Sequence, residues 1–121
     1  MERVVGIGGT FFRARDAEKL RVWYAEHLGF DVQDWGGEAL VAKEGDATVW
    51  SIFPGESDYW PAGQQWMLNY RVEDLDAMLE QLRSAGVAVD DKTSEDENGR
   101  FGWATDSEGN RFELWQPRSY G

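Results

Sequence analysis

Phe12-Arg13-Ala14-Arg15-Asp16 opens an amphipathic segment that closes at Leu28-Gly29-Phe30, and Tyr70-Arg71-Val72-Glu73-Asp74 opens a second that closes at Ala85-Gly86-Val87. Each is followed by short apolar runs broken by turn residues. The endings correspond as well, since Thr48-Val49-Trp50-Ser51-Ile52-Phe53-Pro54 aligns with Arg111-Phe112-Glu113-Leu114-Trp115-Gln116-Pro117. Self-similarity of this length marks two copies of one supersecondary unit, and it supplies paired positions to compare.

Residues 4–12 are β-branched, aromatic or Gly and read as a first strand. Asp16 is placed to cap a helix whose Leu20, Trp23, Tyr24, His27 and Leu28 fall on one face, with Gly29 as the left-handed stop. The second copy repeats the scheme with a strand at 67–72, Asp74 as cap, an apolar stripe of Leu75, Met78, Leu79 and Leu82, and Gly86 as stop. Three short strands are expected after each helix, punctuated by Gly36-Gly37 and Glu44-Gly45-Asp46 in the first copy and Glu108-Gly109-Asn110 in the second. The fold class is therefore α+β, with two βαβββ repeats at about 4–54 and about 66–117 in a single domain spanning 1–121. A linker of about 55–65, rich in Pro, Gly and Ser and carrying Tyr59 and Trp60, is too short to separate independent domains. Residues 90–98 are polar, match no calcium-loop spacing and read as a solvated loop.

A chain of 121 residues suits one compact domain, small enough for a dimer interface to add to its stability. The net charge of −11 repels phosphate backbones and anionic lipid, so neither nucleic acid nor a membrane surface is an expected partner. The absence of cysteine removes thiol nucleophiles, disulfides, zinc-thiolate sites and iron–sulfur clusters. No secretory leader or membrane span is legible in the sequence, and a cytoplasmic location is the expectation.

Strand, helix and three strands, twice over, with Arg-x-x-Asp before the first helix, Leu28-Gly29-Phe30 after it and the closing run Asp106-Ser107-Glu108-Gly109-Asn110-Arg111-Phe112-Glu113-Leu114-Trp115, resembles the vicinal oxygen chelate superfamily. That group includes glyoxalase I, fosfomycin-resistance enzymes, extradiol dioxygenases, methylmalonyl-CoA epimerase and bleomycin-resistance proteins. The resemblance covers essentially the whole chain. It implies cupped sheets that pair around a cavity, often across a dimer, and leaves the reaction open because one fold serves unrelated chemistries.

The resemblance also implies where a divalent metal would sit in the metal-binding members, at points that fall here on Gly9, Trp50, Met67 and Glu113. Only Glu113 suits a hard cation. Glycine has no side chain, an indole has no accessible lone pair, and a thioether is too soft for Mg²⁺, Mn²⁺ or Fe²⁺. His27, the sole imidazole, shares the helix face with Leu20, Trp23 and Tyr24 and points under the helix rather than into the cup. Gln64, Gln65 and Asn69 add only neutral oxygens. No cofactor is expected, with a divalent metal at Glu113 as the lesser alternative.

Strand alternation then assigns the cup. With Leu68, Tyr70 and Val72 under the second helix, Met67, Asn69 and Arg71 face the cavity. By the repeat, Phe11 and Arg13 do so too, with Trp50 and Ile52, Glu113 and Trp115 on the closing strands. Each aromatic could instead fill the core, and each Arg could pair with acidic neighbours. The surplus of seven Trp exceeds what one small core needs and points to a cleft or interface.

Glu113 is the central residue. In an aromatic pocket burial disfavours its charge and poises it as a general acid or base. Alternatively it stays ionised against a cationic ligand sandwiched by indoles, or pairs with Arg13 or Arg71. Three functions follow: a metal-independent protein binding a small aromatic or cationic molecule, most simply as a homodimer; a glyoxalase-type lyase or isomerase, or a proton-transfer enzyme, with Glu113 as base or remnant metal ligand; or a non-catalytic interaction module.

Overall fold

The computed structural model describes residues 1–118. Helix α1 (Ala17–Leu28) starts where the Asp16 carboxylate accepts the Lys19 amide, and stops at Gly29, whose φ of 74° supplies the left-handed turn. Helix α2 (Leu75–Ser84) is capped in the same way by Asp74 on the Ala77 amide. Among the described residues five strands accompany them: β1 (Asn69–Arg71), β2 (Ala88–Val89), β3 (Ser94–Asp96), β4 (Gly99–Thr105) and β5 (Arg111–Pro117).

The second copy of the repeat is formed throughout. β5 lies between β1, to which it is parallel, and β4, to which it is antiparallel. β2 and β3 both pair antiparallel with β4, at opposite ends of its outer edge. The β4–β5 hairpin turns through Asp106–Asn110, where Gly109 takes a φ of 86°. Its register sets Trp103 opposite Glu113, and the β1–β5 register sets Asn69 opposite Glu113 from the other side.

One face of this sheet carries the core. Leu75, Leu79 and Leu82 recur at helical spacing on α2 and pack on Ala104, Phe112 and Leu114, all six buried. Gly102 lets the helix sit this close, because a Cβ there would stand 3.1 Å from a Leu79 methyl. Tyr70 and Val72 flank the cluster, as the alternation of the strand expects. Helix α1 adds an aromatic layer in which Trp23 meets Phe112 edge-on at 6.2 Å and Tyr24 meets Tyr70 at 6.1 Å. His27 packs against Trp23 on this layer.

In the first copy the helix and both turns are formed. Gly36 and Gly37 close on Gln33, and Asp46 closes on Lys43. Among the described residues, the segments between these turns, and residues 4–12 before them, make no strand ladder. An alternating apolar pattern specifies extended backbone with one face to be covered, but a ladder needs a neighbouring edge. Among the described residues these segments pair with no strand edge. A second departure lies at 90–98, expected as a loop throughout: residues 94–96 form the short edge strand β3, exposed on every side chain. Its turn is held by the Asn98 amide donating to Asp96 at 2.7 Å. Polar composition marked the solvation of this stretch correctly and concealed its pairing.

Candidate functional site

The face of the sheet opposite the core holds a cross-strand row of Asn69, Glu113 and Trp103, one each from β1, β5 and β4. Glu113 is buried, yet both its oxygens are hydrogen-bonded. The Asn69 side-chain amide donates to Oε1 at 2.7 Å. The Trp103 indole donates to Oε2 at 3.0 Å, and the Tyr59 hydroxyl donates to the same oxygen. All three donors are neutral, so the carboxylate is solvated by protein dipoles and not by a countercharge. Burial, and then the adjoining Glu113, push the Tyr59 phenol pKa upward. The hydroxyl thus keeps its proton and stays a donor.

Aromatic rings wall this carboxylate. Tyr59 meets Trp103 edge-on at 6.0 Å and lies 5.4 Å from Phe53, which also touches Trp60 at 5.0 Å. Arg111, the next residue along this face of β5, lies over the Trp103 ring at 5.6 Å while its guanidinium forks onto both oxygens of Asp90 at 2.9 and 2.8 Å. On the following row, Trp115 and Phe101 lie parallel with their planes 4° apart, and the Trp115 indole is fixed by the Asn98 carbonyl at 2.9 Å.

The structure thus brings together Glu113 and Asn69, with Trp115 and Arg71 one row away on the same strands. Met67, half-buried, lies two residues ahead of Asn69. Arg71 does not reach Glu113. Its guanidinium donates to the Ala47 carbonyl at 2.6 Å and stands 3.8 Å from Asp46. Arg13 is exposed ahead of α1. Phe11, Trp50 and Ile52 stand on the surface of the first copy, 94%, 73% and 78% exposed, and are not gathered at Glu113 within the chain. The repeat assigned them to the cup on the premise that the first copy closes as the second does.

Trp103, Arg111 and the ligating role of Tyr59 escape sequence reasoning. Counting back across the hairpin from Asp106–Asn110 would have found Trp103, because that register is set by the turn. Nothing local marks Tyr59, which arrives from the linker.

The donor set does not fit a metal. Of the four points implied by the resemblance, Gly9, Trp50 and Met67 offer no hard ligand, and Glu113 already accepts three hydrogen bonds. Among the described residues no group of three or more His, Cys, Asp or Glu side chains could hold an ion. Gln64 is committed to the backbone of Arg111, donating to its carbonyl at 2.7 Å and accepting its amide at 2.9 Å.

Comparison with known proteins agrees with this architecture. The sequence pattern of the Glyoxalase/Bleomycin resistance protein/Dioxygenase superfamily matches residues 6–114, and the chain belongs to that superfamily. No curated protein sequence is detectably similar to it. Among solved structures it is similar to TnmS3, an antibiotic binding protein from Streptomyces sp. CB03234, at 31% identity and a TM-score of 0.57, over 86% of this chain and 88% of that one. A glyoxalase/bleomycin resistance protein from the same strain is also 31% identical, with a TM-score of 0.54 over 84% of this chain and 91% of that one. A superfamily domain from Frankia sp. EAN1pec shares the fold at 20% identity and a TM-score of 0.61, over 98% and 96% of the two chains.

Proposed function

We propose that this protein binds a small aromatic or cationic molecule in the cup over Glu113, without a metal and without turning it over. The observation that carries the reading is a buried carboxylate held by three neutral donors inside a ring of indole, phenol and phenyl groups. Apolar walls with a few convergent polar groups suit ligand capture, and the one ionisable side chain of the Asn69–Glu113–Trp103 row is Glu113 itself. Acid–base or Lewis-acid catalysis asks for an electrophile or oxyanion hole facing a substrate, and the donors here are turned onto Glu113. The 31% identity to an antibiotic binding protein supports binding over catalysis.

The same reading includes a homodimer in the cytoplasm. Phe11, Trp50 and Ile52 are large apolar side chains on a surface that a solitary domain would ordinarily cover. A second copy laid on this face would carry them to the cup and give the first-copy strands an edge to pair with. Among the described residues no helix is long and apolar enough to cross a membrane.

The test is a tryptophan-fluorescence titration in excess chelator with a panel of flat neutral and cationic aromatics, on the wild type and Glu113→Gln. Saturable quenching that weakens about tenfold or more in the variant is the expected result. Binding that appears only on adding a divalent metal, or that ignores the variant, contradicts the proposal.

A further inference from the structure

Tyr59 belongs to neither copy of the repeat. It is carried by the 55–65 strap, between Gly55 and Gly63, yet its ring is the one that enters the aromatic enclosure of Glu113. There it does what a ligand of this cup would do: it lays an aromatic edge against Trp103 and presents one hydroxyl to Oε2. We propose that Tyr59 is an internal stand-in for the ligand, so that the cup takes flat aromatic molecules bearing a ring hydroxyl or N–H donor and admits them by displacing the strap. This inference rests on the binding function proposed above and narrows its ligand class.

Three observations support it. First, the acceptor favours donors: Glu113 receives N–H from Asn69 and Trp103 at fixed positions on the sheet, so the contact that can exchange is the one from the strap. Second, the strap touches the sheet through few bonds. Among the described residues these are, apart from the phenol, Arg111 Nε donating to the Tyr59 carbonyl at 3.0 Å and the Gln64 side-chain amide bonded twice to the Arg111 backbone. Its other hydrogen bonds among the described residues are internal or to its immediate flanks, with Ser57 closing on Pro54, Gln64 closing on Pro61, the Trp60 indole on the Gln64 carbonyl at 2.9 Å and the Gln64 side chain on the Trp66 carbonyl at 2.7 Å. Third, none of the buried core residues lies in the strap, so its departure leaves the core covered. Segments held by few contacts open at low free energy.

The experiment has two arms on the full chain. In the first, amide exchange is compared between wild type and Tyr59→Phe without ligand. The strap should exchange about tenfold faster in the variant while β4 and β5 are unchanged. Equal exchange in the strap overturns Tyr59 as its latch. In the second, 2-naphthol and 2-methoxynaphthalene, the same ring with its donor capped, are titrated against wild type and Tyr59→Ala. Removing the competing phenol should tighten 2-naphthol about tenfold, and the capped ring, without a donor for Oε2, should remain the weaker ligand on both proteins. Weaker 2-naphthol binding in Tyr59→Ala makes Tyr59 a wall of the site and overturns the stand-in role. Preference for the capped ring overturns the ligand class. Failure of both probes on both proteins overturns the ligand class and counts against the binding function too, whereas equal strap exchange alone leaves that function standing.

Discussion

Asn69 and Glu113 face each other across the parallel β1–β5 pair, and the Asn69 amide donates to Glu113 Oε1 at 2.7 Å. Trp103 closes the row from β4, so a single carboxylate is held by both neighbouring strands as well as by the strap. Glu113→Gln replaces an acceptor-only group with one that turns an N–H₂ toward at least one of these donors. We expect a loss of about 1–3 kcal/mol in folding stability, read as a lower urea midpoint at unchanged slope. An unchanged midpoint would show that the three bonds are not formed in solution.

A second buried carboxylate ties helix α1 to the hairpin. Asp106 accepts from the Tyr24 hydroxyl at 2.8 Å, from the Glu108 and Asn110 amides at 2.9 and 3.0 Å, and from the Asn110 side chain. Tyr24→Phe removes one donor and should cost about 1 kcal/mol; Asp106→Ala strands all of them and should cost about 3 kcal/mol or more. Thermal denaturation of the two variants checks the order. Equal losses would mean that the hairpin turn holds itself without the carboxylate.

Alkaline pH should destabilise the fold through its tyrosines. Burial pushes Tyr70 up to about 12, and Tyr24 and Tyr59 are raised by burial together with the charges and hydrogen bonds around them, against an ordinary value of 10.0. These groups keep their protons in the folded state where the unfolded chain releases them, so their contribution is fully present below pH 10 and is lost as pH rises through the folded values. Denaturant midpoints should hold from pH 7 to 9 and fall above 10, less steeply in Tyr24→Phe. A midpoint that rises across that upper range would reverse the sign and contradict the burial of these phenols.

Gly99 starts β4 at a φ of 129°, and a Cβ there would stand 2.2 Å from the Gln116 carbonyl oxygen on β5. Gly99→Ala therefore meets both backbone strain and a fixed neighbour. A loss of about 2 kcal/mol or more is expected by thermal melt, with the β4–β5 pairing shifted at this end. A variant as stable as wild type would show that β4 can begin one residue later at no cost.

The second copy was legible because its local signals agree. Asp74 and Gly86 mark α2, the Leu75, Leu79 and Leu82 stripe faces the sheet, and alternation along 67–72 sends Tyr70 to the core and leaves Asn69 for the cup. Asn69 beside Glu113 followed from alternation plus the repeat. Tyr59 and Trp103 did not, since the contact of one is set by the path of an irregular linker and that of the other by a hairpin register. Phe11, Trp50 and Ile52 show the opposite failure. Their apolar character was plain, but which surface covers them depends on how the first copy is paired, and no local pattern encodes a neighbour.

The most direct measurement is a ¹H–¹⁵N spectrum of the seven tryptophan indoles during titration, in excess chelator, with a flat aromatic donor such as 2-naphthol. The Trp103 indole, bonded to Glu113, should shift saturably together with Trp115 on the neighbouring row, and Glu113→Gln should move that response to about tenfold higher ligand concentration or beyond. Shifts confined to other indoles, or a response that requires a divalent metal, would contradict the assignment of the cup over Glu113 as the binding site.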